Sequence, residues 1–97
     1  MVNNIVTEDK LNKYFSISKE AIEAVKKAGM DKTRQAQADD FFDMALRYYS
    51  DALHFRKNDE WVMAFAALNY AHGWLDAGAR SGLFKVKDSR LFTVDDE

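Results

Sequence analysis

Apolar residues recur at three- and four-residue steps along most of this chain, which is the spacing of one face of an α-helix. The first such stripe follows Thr7, whose hydroxyl can cap the free amides of a helix start, and it stops before Gly29. We therefore predict helix 1 over about residues 7–28. Its stripe consists of Leu11, Tyr14, Ser18, Ala21 or Ile22, Val25 and Ala28.

A second stripe repeats every seven residues, as expected of a helix packed against neighbours. Its members are Ala38, Phe41, Ala45, Tyr48, Ala52 and Phe55. An adjacent apolar stripe consists of Phe42, Leu46, Tyr49 and Leu53. We predict helix 2 over about residues 32–57, with two apolar faces because it is the middle element of three.

A third stripe begins after Asn58 and Asp59, either of which can cap a helix, and it ends before Gly82. It contains Trp61, Ala64, Leu68, Ala71, Leu75 and Gly78. We predict helix 3 over about residues 59–81. The connection between helices 2 and 3 is only a few residues long, which makes them antiparallel neighbours. The fold class is therefore all-α, an antiparallel up-down-up three-helix bundle in a single domain of residues 1–97.

Residues 83–97 form a tail with a different pattern. Two apolar segments, residues 83–86 and 91–94, flank four polar residues. This pattern fits a short hairpin or an extended tail that lies on the bundle, and we favour the extended tail. Residues 95–97 are all acidic and are expected to be disordered.

Composition excludes several kinds of function. The chain has no cysteine and two histidines, so we predict no disulfide, no metal site and no cofactor. Fourteen basic residues against sixteen acidic ones give a net charge of -2, so nucleic acid is not an expected partner. Residues 1–6 lack the features of a signal peptide, and the longest apolar run, residues 61–68, is far shorter than the roughly 20 residues that span a bilayer. We expect no membrane association and a cytoplasmic location.

Four polar residues on one side of helix 3 are the candidate ligand site: Asn69, His72, Asp76 and Arg80. His72 and Asp76 are four residues apart, as are Asp76 and Arg80, so their side chains can share hydrogen bonds. A carboxylate between an imidazole and a guanidinium can bind an anion or a small ligand. The alternative is a solvated face whose side-chain pairs contribute about 0.2–0.5 kcal/mol each. Since this stripe has no nucleophile and no second carboxylate, we predict no catalytic residue.

An apolar strip on the same helix is the candidate interface. Residues 61–68 contain no polar side chain and surround the helix, and one bundle core cannot cover every side. We expect Val62, Phe65 and Ala66 to lie outside the core, beside Gly73 and Ala77. Either the tail covers this strip, or another copy of the chain or a different protein buries it. The tail residues of this predicted interface are Leu83, Phe84, Leu91 and Phe92.

Helix 2 carries one further motif. Arg47 and His54 are seven residues apart, which loosely resembles the Arg-to-His element of helical nucleotide-binding ribonucleases, with Tyr48 in place of the polar residue expected there. The alternative is an exposed histidine near a helix end.

Several segments resemble one protein family. Four of them are Tyr48-Tyr49-Ser50-Asp51-Ala52, Gly82-Leu83-Phe84, Leu91-Phe92 and the long segment Ala67-Leu68-Asn69-Tyr70-Ala71-His72-Gly73-Trp74-Leu75-Asp76-Ala77-Gly78-Ala79-Arg80. In these segments the chain is similar to the archaeal family called domain of unknown function 357, DUF357. Ser81 stands where we expect an apolar residue, which predicts looser packing at the end of helix 3. The resemblance implies a small archaeal three-helix bundle with no established activity, and it supplies no catalytic residues.

These observations favour a non-enzymatic protein that forms a homodimer or binds a protein partner through the apolar strip. The alternative is a small-ligand or anion-binding protein that uses the outer face of helix 3.

Overall fold

Three helices and an irregular C-terminal segment make up the computed structural model, which describes residues 5–94. The helices are α1 (Glu8–Ala28), α2 (Gln35–Lys57) and α3 (Trp61–Arg80). The N-terminal half of α1 packs with the C-terminal half of α2 and the N-terminal half of α3, so the helices run up, down and up. No strand is present in residues 5–94. The predicted all-α antiparallel three-helix bundle is confirmed.

The ends of α1 follow from local hydrogen bonds. The hydroxyl of Thr7 accepts a hydrogen bond from the Lys10 amide at 3.1 Å, which satisfies one of the free amides of the first turn. At the other end, Gly29 adopts a left-handed φ of 86° and its amide donates to the Val25 carbonyl oxygen. A residue with a Cβ rarely adopts this conformation, so glycine is favoured at the helix stop.

Both connections differ from the sequence prediction by a few residues. α2 begins at Gln35 because Lys32–Arg34 form a separate 3₁₀ turn, in which the Asp31 carboxylate accepts a hydrogen bond from the Thr33 amide. α3 begins at Trp61 because Asp59 has a φ of 59°, which reverses the chain before the helix can start. Aspartate tolerates this left-handed region better than most residues.

The buried side chains form two apolar clusters, one at each end of the bundle. Leu11 and Phe15 of α1 fill the first cluster together with Leu68 and with alanines of α2 and α3. The second cluster contains the C-terminal half of α1, the N-terminal half of α2 and the C-terminal half of α3. In α2 the fully buried positions are the alanines of the predicted seven-residue pattern, which lets α2 and α3 approach closely. The adjacent stripe is half-buried only as far as Tyr49, and Leu53 is 48% exposed.

The C-terminal segment completes the second cluster as a tail that lies on the bundle and turns near its end, where the Leu91 and Phe92 amides both donate to the Asp88 carbonyl oxygen. The amide of Asp31 donates to the Leu83 carbonyl oxygen, and the amide of Lys85 donates to the Gly29 carbonyl oxygen, so residues 83–85 run beside the end of α1. Residues 83–94 contain no hairpin, only an isolated bridge between Met30 and Phe84. The side chains that this segment buries are Leu83, Phe84, Val86, Leu91 and Phe92. The predicted disorder of residues 95–97 lies outside the described residues.

The end of α3 is more firmly held than the substitution at Ser81 predicts. The Ser81 hydroxyl donates to the Ala77 carbonyl oxygen at 2.7 Å, and Arg34 donates to the Ser81 carbonyl oxygen at 3.1 Å. The amides of Leu83 and Phe84 both donate to the Gly78 carbonyl oxygen. These bonds satisfy carbonyl groups that a helix end otherwise leaves free.

Candidate functional site

One face of α3 is covered neither by the other helices nor by the tail. We call it the outer strip, and its residues are Val62, Ala66, Asn69, Tyr70, Gly73, Ala77 and Arg80. Apart from the adjacent pair Asn69 and Tyr70, successive members are three or four residues apart, so they form one band along the helix. All seven are exposed, and Val62 and Tyr70 keep 65% and 64% of their surface in contact with solvent.

The middle of the outer strip is a shallow groove of about 670 Å³ without a charged side chain. Its lining residues are Ala66, Asn69, Tyr70, Gly73, Trp74 and Ala77. Pockets for small molecules have similar volumes but enclose most of the ligand surface and present a few convergent polar groups. This groove has one amide side chain and lies open along the helix, which suits contact with another helix better than enclosure of a small molecule.

Two aromatic pairs between α2 and α3 define one side of the groove. The rings of Tyr48 and Tyr70 stack with their centroids 5.1 Å apart and an interplanar angle of 20°. The rings of Phe41 and Trp74 meet edge to face at 5.1 Å. Because each α3 ring is held by a ring of α2, the groove wall is largely fixed before any partner arrives, and this reduces the entropy that binding must remove.

Gly73 forms a notch in the outer strip that the fold itself does not require. A Cβ built at this position would meet no atom within 4 Å beyond its own stretch of helix. Glycine in the interior of a helix costs about 0.8–1.0 kcal/mol relative to alanine. Close packing within the chain therefore does not explain Gly73, whereas close approach of an external chain would.

Three of the four predicted ligand residues, Asn69, His72 and Asp76, line one pocket of about 240 Å³ between α1 and α3. His72 Nε2 lies 2.7 Å from the Leu91 carbonyl oxygen and donates to it, and the Thr93 amide donates to Asp76 Oδ1 at 2.9 Å. His72 Nε2 and Asp76 Oδ1 are 3.6 Å apart. These two side chains therefore hold the C-terminal segment on α3. That they bind a ligand remains an untested prediction.

Asn69 borders both this pocket and the outer strip, whereas Arg80 lies outside the pocket, on the outer strip. Both are exposed, and within residues 5–94 neither side chain has a hydrogen bond. The expected ion pair between Asp76 and Arg80 is not formed in this part of the chain. The structure thus brings three of the four predicted residues to one pocket and leaves Arg80 outside it.

The predicted interface residues are divided as well. Val62 is exposed, whereas Phe65 packs edge to face on Tyr14 at 5.0 Å, with the Lys10 ammonium 5.2 Å from its ring. The second core cluster buries the four tail residues of the predicted interface, Leu83, Phe84, Leu91 and Phe92. These four side chains cover the bundle end rather than the outer strip, and they can meet a partner only if the tail detaches. The interface itself remains untested.

Tyr70 is the residue of this surface that the sequence analysis did not select. A projection at 100° per residue places it beside Ala66, Gly73 and Ala77, so the helical period contains the signal. The sequence analysis did not select it because the same projection places Tyr70 outside the polar stripe of the candidate ligand site.

Arg47 and His54 do not form a joint site. Arg47 pairs with Asp43 at 2.8 Å, and His54 Nε2 lies 3.2 Å from Asn58 Nδ2. Both side chains are exposed on α2. At about 1.5 Å rise per residue, seven residues separate them by roughly 10 Å along the helix.

The charged groups with shifted pKa values lie away from the outer strip. Hydrogen bonds from Thr33 and Arg34 lower the pKa of Asp31 to about 2. A hydrogen bond from Arg90 lowers the pKa of Glu20, and burial raises the pKa of Tyr49. Among residues 5–94 no group of three or more histidine, aspartate or glutamate side chains could hold a metal ion. In the same residues no buried side-chain nitrogen or oxygen lacks a hydrogen-bond partner.

No helix within the described residues is both long enough and apolar enough to cross a membrane. In residues 5–94 the fold and this surface together define a small all-α three-helix bundle that leaves a largely uncharged face of α3 uncovered. The family model of DUF357, a protein family of unknown function, matches residues 13–84, so the chain belongs to the DUF357 family. Neither the curated proteins nor the solved structures gave a match.

Proposed function

We propose that this chain is a non-enzymatic interaction module that binds another polypeptide through the outer strip of α3. The observation that carries the proposal is an exposed, uncharged groove with a mid-helix glycine whose Cβ would contact nothing within the chain. Small residues on a helix surface let a second backbone approach closely, and exposed apolar patches mark interaction sites. A cytoplasmic location in an archaeal cell, as the sequence favours, is part of the same proposal.

The contacts of His72 and Asp76 favour polypeptide binding over anion binding. Both side chains already hold the tail, because His72 donates to the Leu91 carbonyl oxygen and Asp76 accepts from the Thr93 amide. The side chains of the outer strip hold no part of the tail. The strip is therefore the stronger candidate for the functional surface.

Site-specific photocrosslinking tests the proposal. Tyr70 is replaced by p-benzoylphenylalanine, which keeps an aromatic ring at an exposed position. The matched control carries the same residue at Lys19, which is exposed on α1. In cells that naturally make the protein, we expect one discrete polypeptide adduct from position 70, and its loss when Gly73→Glu is added. Equal crosslinking from both positions, or no polypeptide adduct from position 70, would contradict the proposal.

A further inference from the structure

We infer that the polypeptide that binds the outer strip is a second copy of this chain, paired antiparallel about a two-fold axis near the middle of α3. This inference rests on the proposed function and names its partner. It follows from the shape of the strip, the charges at its two ends and the size of the face.

The shape of the strip is complementary to itself. A two-fold axis that crosses α3 between Ala71 and His72 places Tyr70 of one copy opposite Gly73 of the partner, and Gly73 opposite the partner's Tyr70. Tyr70 is the large exposed side chain of the groove, and Gly73 is its notch, with no atom within 4 Å of a built Cβ. The same axis places Ala66 opposite the partner's Ala77, so small residues meet on both sides of the ring. An isologous interface requires this kind of reciprocal match.

The charges at the ends of the strip favour the antiparallel arrangement. Arg80 is exposed at the C-terminal end, and Asp59 and Glu60 are exposed just before the N-terminal end. At about 1.5 Å rise per residue, Arg80 lies roughly 13 Å from the axis and Glu60 roughly 17 Å from it on the other side. The long arginine side chain can span this axial difference towards the acidic turn of the partner, which contains Asp59 and Glu60. Parallel pairing would instead place Arg80 against Arg80 and Glu60 against Glu60.

The size of the face predicts a weak association. The strip alone measures roughly 30 Å by 10 Å, whereas a standard stable interface buries about 800 Å² on each partner. The molecule extends over 44 Å by 26 Å in its two longest directions, so the edges of α1 and α2 can contribute the remaining area. A face of this kind, with few charged groups and a small apolar centre, is expected to dimerise in the range of about 10 μM to about 1 mM.

Sedimentation equilibrium of the purified full chain tests this pairing over that concentration range. We expect a reversible monomer–dimer equilibrium. Gly73→Glu fills the notch with a charge and should weaken dimerisation at least about tenfold. Its matched control is Ser16→Glu, which adds the same charge on an exposed part of α1 and should leave dimerisation unchanged. Circular dichroism melting monitors folding, and Gly73→Glu should melt no lower than the parent because it replaces a helix-interior glycine.

A charge exchange tests the antiparallel arrangement. Arg80→Glu and Glu60→Arg should each weaken dimerisation about three- to tenfold, and the double variant should restore it. A double variant that dimerises no better than the single variants would overturn the antiparallel geometry. A chain that stays monomeric at about 1 mM overturns the second copy as partner. If position 70 still crosslinks to a different protein in cells, the proposed function stands while this inference fails.

Discussion

Gly73 and Gly78 lie five residues apart in α3 and meet opposite surroundings. A Cβ at Gly78 would lie 2.1 Å from a ring carbon of Phe84, so only glycine lets the tail pack there. A Cβ at Gly73 would project into open space. The sequence analysis assigned Gly78 correctly to the packed side because the helical period separates the faces. It could not show that Gly73 is free of intrachain contacts, because that depends on where the tail lies.

Alanine substitutions at these two glycines should have opposite effects on stability. Gly73→Ala should raise the free energy of unfolding by about 0.5–1 kcal/mol, because alanine restricts the unfolded chain and favours the helix. Gly78→Ala should lower it by about 1–3 kcal/mol, because the methyl group overlaps the Phe84 ring. Urea denaturation at low protein concentration measures both. Equal effects of the two substitutions would show that Phe84 does not pack on Gly78.

Asp31 should make the fold sensitive to acid. Its folded-state pKa is about 2, below the ordinary 3.8, because Thr33 and Arg34 donate hydrogen bonds to the carboxylate. A lowered folded-state pKa means that the carboxylate stabilises the fold above about pH 4 and that this contribution is lost as the pH falls through about 2. Between about pH 4 and pH 2, the free energy of unfolding of Asp31→Asn should therefore change less than that of the parent chain. NMR titration of the Asp31 carboxyl checks the cause directly, and titration near 3.8 would contradict it.

The three helices were predictable as elements because each carries several turns of regular apolar spacing. The start of α3 was less predictable, since the left-handed residue Asp59 and the bond from the Glu60 amide to the Phe55 carbonyl oxygen form only in the folded turn. The conformation of the tail depends on contacts with residues far away in the sequence. The bond from Thr93 to Asp76 is one example, and the ion pair between Arg90 and Glu20, with its closest N–O distance at 2.5 Å, is another. The local pattern of residues 83–94 therefore fitted both a hairpin and an extended tail.

The bond from the Thr93 amide to Asp76 should hold the end of the described tail. Asp76→Ala removes the acceptor and should cost about 0.5–1.5 kcal/mol, whereas Asp76→Asn keeps an oxygen acceptor and should cost less. Hydrogen exchange at the Thr93 amide should accelerate in Asp76→Ala more than in Asp76→Asn. Unchanged protection of Thr93 in the alanine variant would show that Asp76 does not hold the tail.

Residues beyond the end of the family match should be required for folding. The DUF357 match ends at residue 84, but Val86, Leu91 and Phe92 are buried in the second core cluster. Removing residues 85–97 exposes the core beneath them, at about 1.5–3 kcal/mol for each lost side chain, against a total stability of about 5–15 kcal/mol. We expect the truncated chain to be largely unfolded by circular dichroism. Lys85→Ala, an exposed change in the same segment, is the control and should remain folded. A truncated chain with native helicity and a cooperative melt would contradict this prediction.

At the scale of the whole molecule, the tail determines which surface remains open. It covers the bundle end formed by α1, α2 and the last turns of α3, and it leaves the outer strip uncovered. The sequence analysis expected either the tail or a partner to cover the apolar strip of α3. The tail instead completes the core, so the described residues leave Ala66, Gly73 and Ala77 exposed. Only the folded arrangement separates these two surfaces.

An NMR dilution series on the full chain, from about 1 mM to about 10 μM, tests most directly whether the outer strip binds a second copy. Our account predicts that the amide signals of Ala66, Tyr70, Gly73 and Ala77 shift with concentration while that of Ser16 on α1 does not. The Gly73→Glu variant should give a spectrum that no longer changes on dilution. Parent spectra that superimpose at every concentration, or shifts centred on α1 instead, would contradict the account.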